Sequence, residues 1–129
     1  MIDDALSKGV IAAAIEVHRY LGPGLLESAY EECICHELRL REVRFERQVP
    51  LRLVYKGAIL PCGYRLDVLV EDAMVVEIKC VEAVLPIHVA QVLTYLKLTN
   101  LDVALIINFN VALIRDGLRR VTRKSGPPK

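Results

Sequence analysis

Apolar side chains recur every three or four residues near the start of the chain, at Val10, Ala13, Ala14, Val17 and Leu21. That spacing stacks them on one face of an α-helix. With Asp3 and Asp4 suiting the positive end of the helix dipole, it predicts a first helix over residues 3–20. His18 lies beside the buried stripe, and with no Cys or second His at ligand spacing it reads as structural. Gly22-Pro23-Gly24 breaks the chain. A second helix is expected over residues 25–41, with Leu26, Tyr30, Cys33, Ile34, Leu38 and Leu40 on its apolar stripe. The pattern then shortens. Residues 43–60 hold two β-prone runs, VRFERQV and PLRLVYKGAIL, the second turning at Lys56-Gly57, and residues 64–79 read as two more strands joined by an acidic turn. Together they predict an antiparallel meander. Pro86 opens a third helix reaching about residue 98. Residues 102–109 are apolar throughout, which predicts a central strand buried on both faces and joined to the preceding strand by a parallel crossover. Residues 117–122 add an edge strand.

A chain of 129 residues with 53% hydrophobic content suffices for one domain with a core and leaves no room for a second. The expected division is a single domain over residues 1–122 and a disordered basic tail over 123–129. Net charge is only +1, which does not advertise nucleic acid, but residues 115–129 carry six bases against one acid. Acidic residues replace the basic start of a signal peptide and no apolar run approaches a membrane span. No membrane partner and a cytoplasmic location are therefore expected. Cys33, Cys35, Cys62 and Cys80 lack the paired spacing of zinc sites and read as reduced, mostly buried thiols.

Candidate chemistry concentrates in YRLDVLVEDAMVVEIK, residues 64–79. Strand side chains alternate, so Arg65, Asp67 and Leu69 share one face, Leu66, Val68 and Val70 the other, and Val75, Glu77 and Lys79 fall together on the return strand. If Glu71, Asp72 and Ala73 form a three-residue loop, partners sum to 144, placing Asp67 opposite Glu77 and Arg65 opposite Lys79. Opposed residues have Cβ atoms only ~4.5–5.5 Å apart. Two carboxylates at that distance in an apolar ribbon repel, and a hard divalent cation is the simplest resolution. A loop of another length would put them on different faces. Arg65 is placed either to grip a phosphate or to screen Asp67. Gln48 and Arg52, with no obvious partners, read as surface positions of the sheet. In the second helix Glu27 falls in the first turn, where an acid also serves the helix terminus. Gln91 and Tyr95 lie one turn apart on the third helix and can project towards one point, and His88, one turn earlier, is not assigned to the site.

Gly24-Leu-Leu-Glu27-Ser-Ala-Tyr30, Asp67 followed ten residues later by Glu77-Ile78-Lys79, and Gln91 with Tyr95 form a combination that resembles the GxxExxY family, a branch of the PD-(D/E)XK nuclease superfamily. The similarity continues to about Val121, and Leu66 stands where a proline often precedes the aspartate. The resemblance implies an α/β (α+β) fold with a restriction-endonuclease-like core, a mixed central sheet flanked by helices. It implies a Mg²⁺-dependent (or Mn²⁺-dependent) nuclease that hydrolyses phosphodiester bonds in DNA or RNA without strong sequence specificity. Asp67 and Glu77 would be the core metal ligands, the Ile78 carbonyl a third, and Glu27 would complete the set from the helix. Lys79 would orient water or pair with the scissile phosphate, acting electrostatically, while Gln91 and Tyr95 hold the nucleic-acid backbone or the lysine. Small nucleases of this type often act as homodimers. Two alternatives stand beside this: a catalytically silent module of the same fold that binds nucleic acid or protein, and a structural ion-pair network of the acids with Arg65 and Lys79.

Overall fold

The structure is a computed structural model and describes residues 4–123. Two helices open the chain, α1 (Asp4–Leu21) and α2 (Glu27–Leu40), followed by the strands β1 (Phe45–Tyr55), β2 (Ala58–Val70) and β3 (Met74–Lys79). Helix α3 (Pro86–Thr99), strand β4 (Val103–Asn108), a 3-10 turn (Ile114–Gly117) and strand β5 (Leu118–Thr122) complete it. The sheet runs β1-β2-β3-β4-β5 in sequence order, with β3 and β4 parallel and the other pairs antiparallel. Helix α3 supplies the connection that a parallel pair requires. This is a mixed, α+β, restriction-endonuclease-like architecture.

Of the α1 stripe Val10, Ala13, Ala14 and Val17 are buried but Leu21, at the helix end, is exposed. On α2 the expected stripe holds at Tyr30, Ile34 and Leu38, while Leu26 and Leu40, at its two ends, face solvent. Helices α1 and α2 cover one face of the sheet, where Val68, Val70, Val76, Ile78, Leu105 and Ile107 form a core with them. The other face packs Val75, Ala104 and Ile106 against Val92, Tyr95 and Leu96 of α3. All six residues of β4 are buried, matching the expectation for a central strand. Among the described residues no helix is long and apolar enough to cross a membrane.

The Gly22-Pro23-Gly24 link adopts a shape that only glycine takes readily, with φ of +64° at Gly22 and +112° at Gly24. A side chain from the next helix fixes it. The Tyr30 hydroxyl donates to the Gly22 carbonyl and accepts from the Leu25 N–H at 3.3 Å, while the ring stacks on Phe109 with centroids 4.3 Å apart. Burial of this tyrosine thus sets where α2 begins.

The central hairpin has the expected register: Val68, Leu69 and Val70 pair with Val76, Val75 and Met74. Glu71 and Asp72, both at φ of +53°, make the turn, and Arg44 clamps it by ion pairs of 3.5 and 3.8 Å to the two acids.

Three expectations are corrected here. The two β-prone runs of residues 43–60 are not separate strands: β1 passes through Pro50, which is tolerated because β1 is an edge strand, and only the tip at Lys56-Gly57 turns. Leu66 does not share a face with Val68 and Val70 but joins the α3 cluster. The faces change because Gln48, opposite Asp67, sits at φ of +50° and interrupts regular alternation in β1. Finally Arg123 is anchored, donating to the Leu101 carbonyl at 3.1 Å and to Asn100 Oδ1 at 3.0 Å. The rest of the proposed tail, residues 124–129, lies outside the described residues.

Tyr30→Phe keeps the ring stack on Phe109 but leaves the Gly22 carbonyl without its donor. Urea denaturation should show a loss of about 1–2 kcal/mol with an unchanged m-value; an unaltered midpoint would remove the hydroxyl from any role in holding the loop.

Candidate active site

Beyond the Val68–Val76 pair the β2–β3 ladder ends, and acidic side chains take over its donors. The Asp67 N–H donates to Glu77 Oε1 at 3.2 Å, and the Ile78 N–H donates to Asp67 Oδ2 at 2.9 Å. Asp67 and Glu77 are therefore neighbours, but through carboxylates inserted between the strands rather than as a directly opposed ladder pair. Glu27 arrives from the first turn of α2, where its Oε2 accepts from the Cys80 N–H at 3.0 Å. Each of the three acids commits one oxygen to a backbone amide. Among the described residues, Asp67 Oδ1, Glu77 Oε2 and Glu27 Oε1 meet no donor.

Lys79 is half-buried at the end of β3 and its charge acts on both Asp67 and Glu77, yet it stands beyond ion-pair distance of either. The expected Arg65–Lys79 pairing does not form, because the ladder has already ended. Arg65 instead donates to the Gln48 carbonyl at 3.3 Å on the exposed surface. Among the described residues neither Arg65 nor Lys79 pairs with Glu27, Asp67 or Glu77, which removes the structural ion-pair network as an account of these acids.

Burial decides the electrostatics. Glu77 is 5% exposed, and desolvation, followed by the charge of Asp67, pushes its carboxyl up to about 8. The Asp67 N–H and Lys79 oppose the shift without cancelling it. Burial likewise raises Asp67 above the ordinary carboxylate range, with Glu31 and Glu27 adding to it and the Ile78 N–H opposing. Among the described residues no group of three or more His, Cys, Asp or Glu side chains is arranged to hold a metal ion. Two hard-oxygen donors with raised proton affinity and no cationic partner are what the site offers.

Glu31, one turn after Glu27, escapes a sequence reading because its partners come from β1. It is 7% exposed, with Oε2 accepting from Arg47 Nε at 3.1 Å and Nη2 at 2.9 Å, while Gln48 Nε2 reaches both oxygens at 3.0 and 3.1 Å. Gln48 is thus not a partnerless surface position. Asn108, also missed, is buried at the end of β4, where its side chain accepts from the Val81 N–H at 3.1 Å and donates to the Val81 carbonyl at 2.9 Å. A polar residue closing an all-apolar strand was the available signal. His18 bonds the Val111 carbonyl at 2.8 Å, a structural role, and His88 accepts from the Leu85 N–H at the start of α3 rather than reaching the acids. Gln91 and Tyr95 line a cavity between α3 and the β1–β2 hairpin whose lining includes none of the acids. Cys33, Cys35 and Cys80 are free thiols, and burial pushes Cys35 up to about 11.

A carboxyl that binds its proton more tightly when folded stabilises the protein fully below its unfolded value, 4.5 for Glu77, and loses that contribution as pH rises through about 8. In divalent-free buffer, stability should fall across this window. Glu77→Gln, which keeps an acceptor for the Asp67 N–H, should flatten the slope and stabilise the protein at pH 8.5 by about 2 kcal/mol or more. An unchanged slope by calorimetry would mean that Glu77 is not the buried titrating group.

The comparisons with known proteins bear on these residues as a set. No curated protein and no solved structure matches the chain. The family model of the PD-(D/E)XK nuclease superfamily matches residues 4–121, from the first helix to the last strand. Since that match spans the acids, the lysine and the whole sheet that carries them, the chain belongs to the PD-(D/E)XK nuclease superfamily.

Proposed function

We propose that this chain, as a member of the GxxExxY branch, is a Mg²⁺-dependent or Mn²⁺-dependent nuclease that hydrolyses phosphodiester bonds without strong sequence specificity. Superfamily membership points to a nuclease and to nucleic acid as the substrate class. The observation that carries the finer reading is the Asp67–Glu77 pair: two adjacent carboxylates, raised by burial, each with one oxygen held by a backbone amide and one left without a donor among the described residues.

Magnesium takes oxygen ligands, keeps several waters and needs only one or two carboxylates from a protein, so the donor set fits. Asp67 and Glu77 would hold the ion, with the Ile78 carbonyl beside them and Glu27 contributing from α2. When bound, such an ion supplies charge neutralisation at the phosphate and a more acidic water. The chain's own groups do the rest. Glu77 must give up its proton before it can act as a ligand, so ion binding strengthens as pH rises through about 8. Lys79 holds the scissile phosphate or orients the attacking water electrostatically. Gln91 and Tyr95 steady the strand from the neighbouring cavity. Contacts to the phosphate and the strand backbone carry no base information, which is why little sequence preference is expected.

The alternative is a catalytically silent module of the same fold that binds nucleic acid or protein. A panel of single- and double-stranded DNA and RNA, incubated with Mg²⁺ or Mn²⁺, separates the two. Cleavage should occur, and Lys79→Ala and Glu77→Ala should each lower its rate by about 100-fold or more while circular dichroism shows an intact fold. Salt-sensitive binding with no cleavage of any member would transfer the protein to the silent module.

A further inference from the structure

On the α3 side of the sheet is a cavity of about 300 Å³ walled by Leu53, Ile87 and Leu98 together with Tyr64, Tyr95 and Gln91. Its chemistry is one-sided. The walls are apolar and aromatic, and the hydroxyl of Thr94, which also lines it, is committed to the Ala90 carbonyl at 3.1 Å. Among the described residues the Gln91 carboxamide has no hydrogen-bond partner. Tyr64 is 52% exposed and its ring centroid lies 6.1 Å from that of buried Tyr95, so the inner ring is supported by the fold while the outer one offers its surface.

One strand, β2, carries both a wall of the cavity, Tyr64, and one of the acids, Asp67. Tyr64 precedes Asp67 by three residues on β2, which at about 3.3 Å per residue places it roughly 10 Å away, within reach of nucleotides that flank a phosphate held at the acids. Leu66, between them, packs in the same cluster as Tyr95.

We propose that this cavity receives an unpaired base of the strand being cut, stacked on Tyr64 and hydrogen-bonded by Gln91. The substrate class is then nucleic acid with unpaired nucleotides beside the scissile phosphate, as in single strands, flaps and frayed ends, in preference to continuous duplex. Aromatic stacking tolerates any base because every base has a π-face, and a carboxamide both donates and accepts, so neither group demands one sequence. A base inside a duplex would have to leave its stack to enter, an added cost that an unpaired one avoids. This inference rests on the nuclease reading for the position of the phosphate.

The test uses the full chain in EDTA with oligonucleotides carrying 2-aminopurine, as single strand, flap and blunt duplex, in DNA and RNA versions. Single strands and flaps should bind at least about tenfold more tightly than duplex and show quenched fluorescence. Tyr64→Ala should weaken single-strand binding about tenfold and remove the quench, whereas Tyr64→Phe should retain both. Equal affinity for duplex and single strand, absence of quenching, or an unaltered Tyr64→Ala protein would overturn the proposal. Conversion of a dimer to a monomer by Tyr64→Ala in sedimentation would also overturn it, since a second copy would then fill the cavity. Because no cleavage is needed, quenching by a protein that never cuts would sink the nuclease reading alone, and cutting without quenching would sink the base cavity alone.

Discussion

Where β2 and β3 part after Val68 and Val76, two carboxylates occupy the places that backbone carbonyls would fill in a longer ladder, and the end of the sheet is built to keep them there. An amide bond to a charged acceptor contributes roughly 1.5–3 kcal/mol, less than the several kcal/mol per ion that removal from water costs. Desolvation therefore wins, and Glu77 holds its proton up to about pH 8. The fold has placed strong acceptors in a setting that withholds the water they would otherwise bind. Such a site favours a proton or a cation over an empty pair of charges.

Contacts made by Tyr30, Glu27, Glu31 and Asn108 hold the arrangement. Tyr30 locks the link before α2, which lets Glu27 reach the Cys80 N–H. Arg47 and Gln48 from β1 seize Glu31, and the same segment carries the left-handed Gln48 backbone at which the faces of β1 and β2 change. Asn108 fixes Val81 just after Lys79. Two buried acids with the same carboxyl thus take different roles. Glu31 has both oxygens bonded by cationic or amide donors, and it braces the sheet; Glu77 has one oxygen without a donor among the described residues, and its proton affinity is raised instead.

Much of this fold was legible from period alone. The 3.6-residue stripe gave α1, the unbroken apolar run gave β4, and the three-residue loop fixed the β2–β3 register to the residue, because a slip of one would have exposed Val68 and Val70. What escaped depends on contacts that no local pattern encodes. The turn of the backbone at Gln48 is made by a residue with no special tolerance for positive φ, so nothing in VRFERQV announces it. Glu31 finds its partners 16 and 17 residues away, on a strand whose alternation that same backbone turn has disturbed. Reading Asp67 and Glu77 as opposed ladder residues found the right pair by a slightly wrong geometry. Alternation correctly put Glu77 with Val75, but it could not show that the ladder would stop one pair earlier and that the side chains would enter the gap.

Position in the sheet explains how so unfavourable a cluster is tolerated. The acids lie where buried β3 meets its neighbours, and β3 runs parallel to β4, so the carboxyl ends of both strands open on the same side, the place where α/β sheets commonly bind ligands. Both strands are almost entirely buried, and their apolar contacts on two faces offset the local electrostatic loss without help from the site itself. The chains leaving them have to be steered clear of that opening. The Phe109 N–H donates to the Lys79 carbonyl at 3.0 Å, and the Asn108 side chain binds both backbone groups of Val81, so the two exits are tied to each other. Tying exit to exit holds the strand ends that carry Glu77 and Lys79 in fixed register with β4, so the acid pair keeps its place without any bond between Lys79 and the carboxylates.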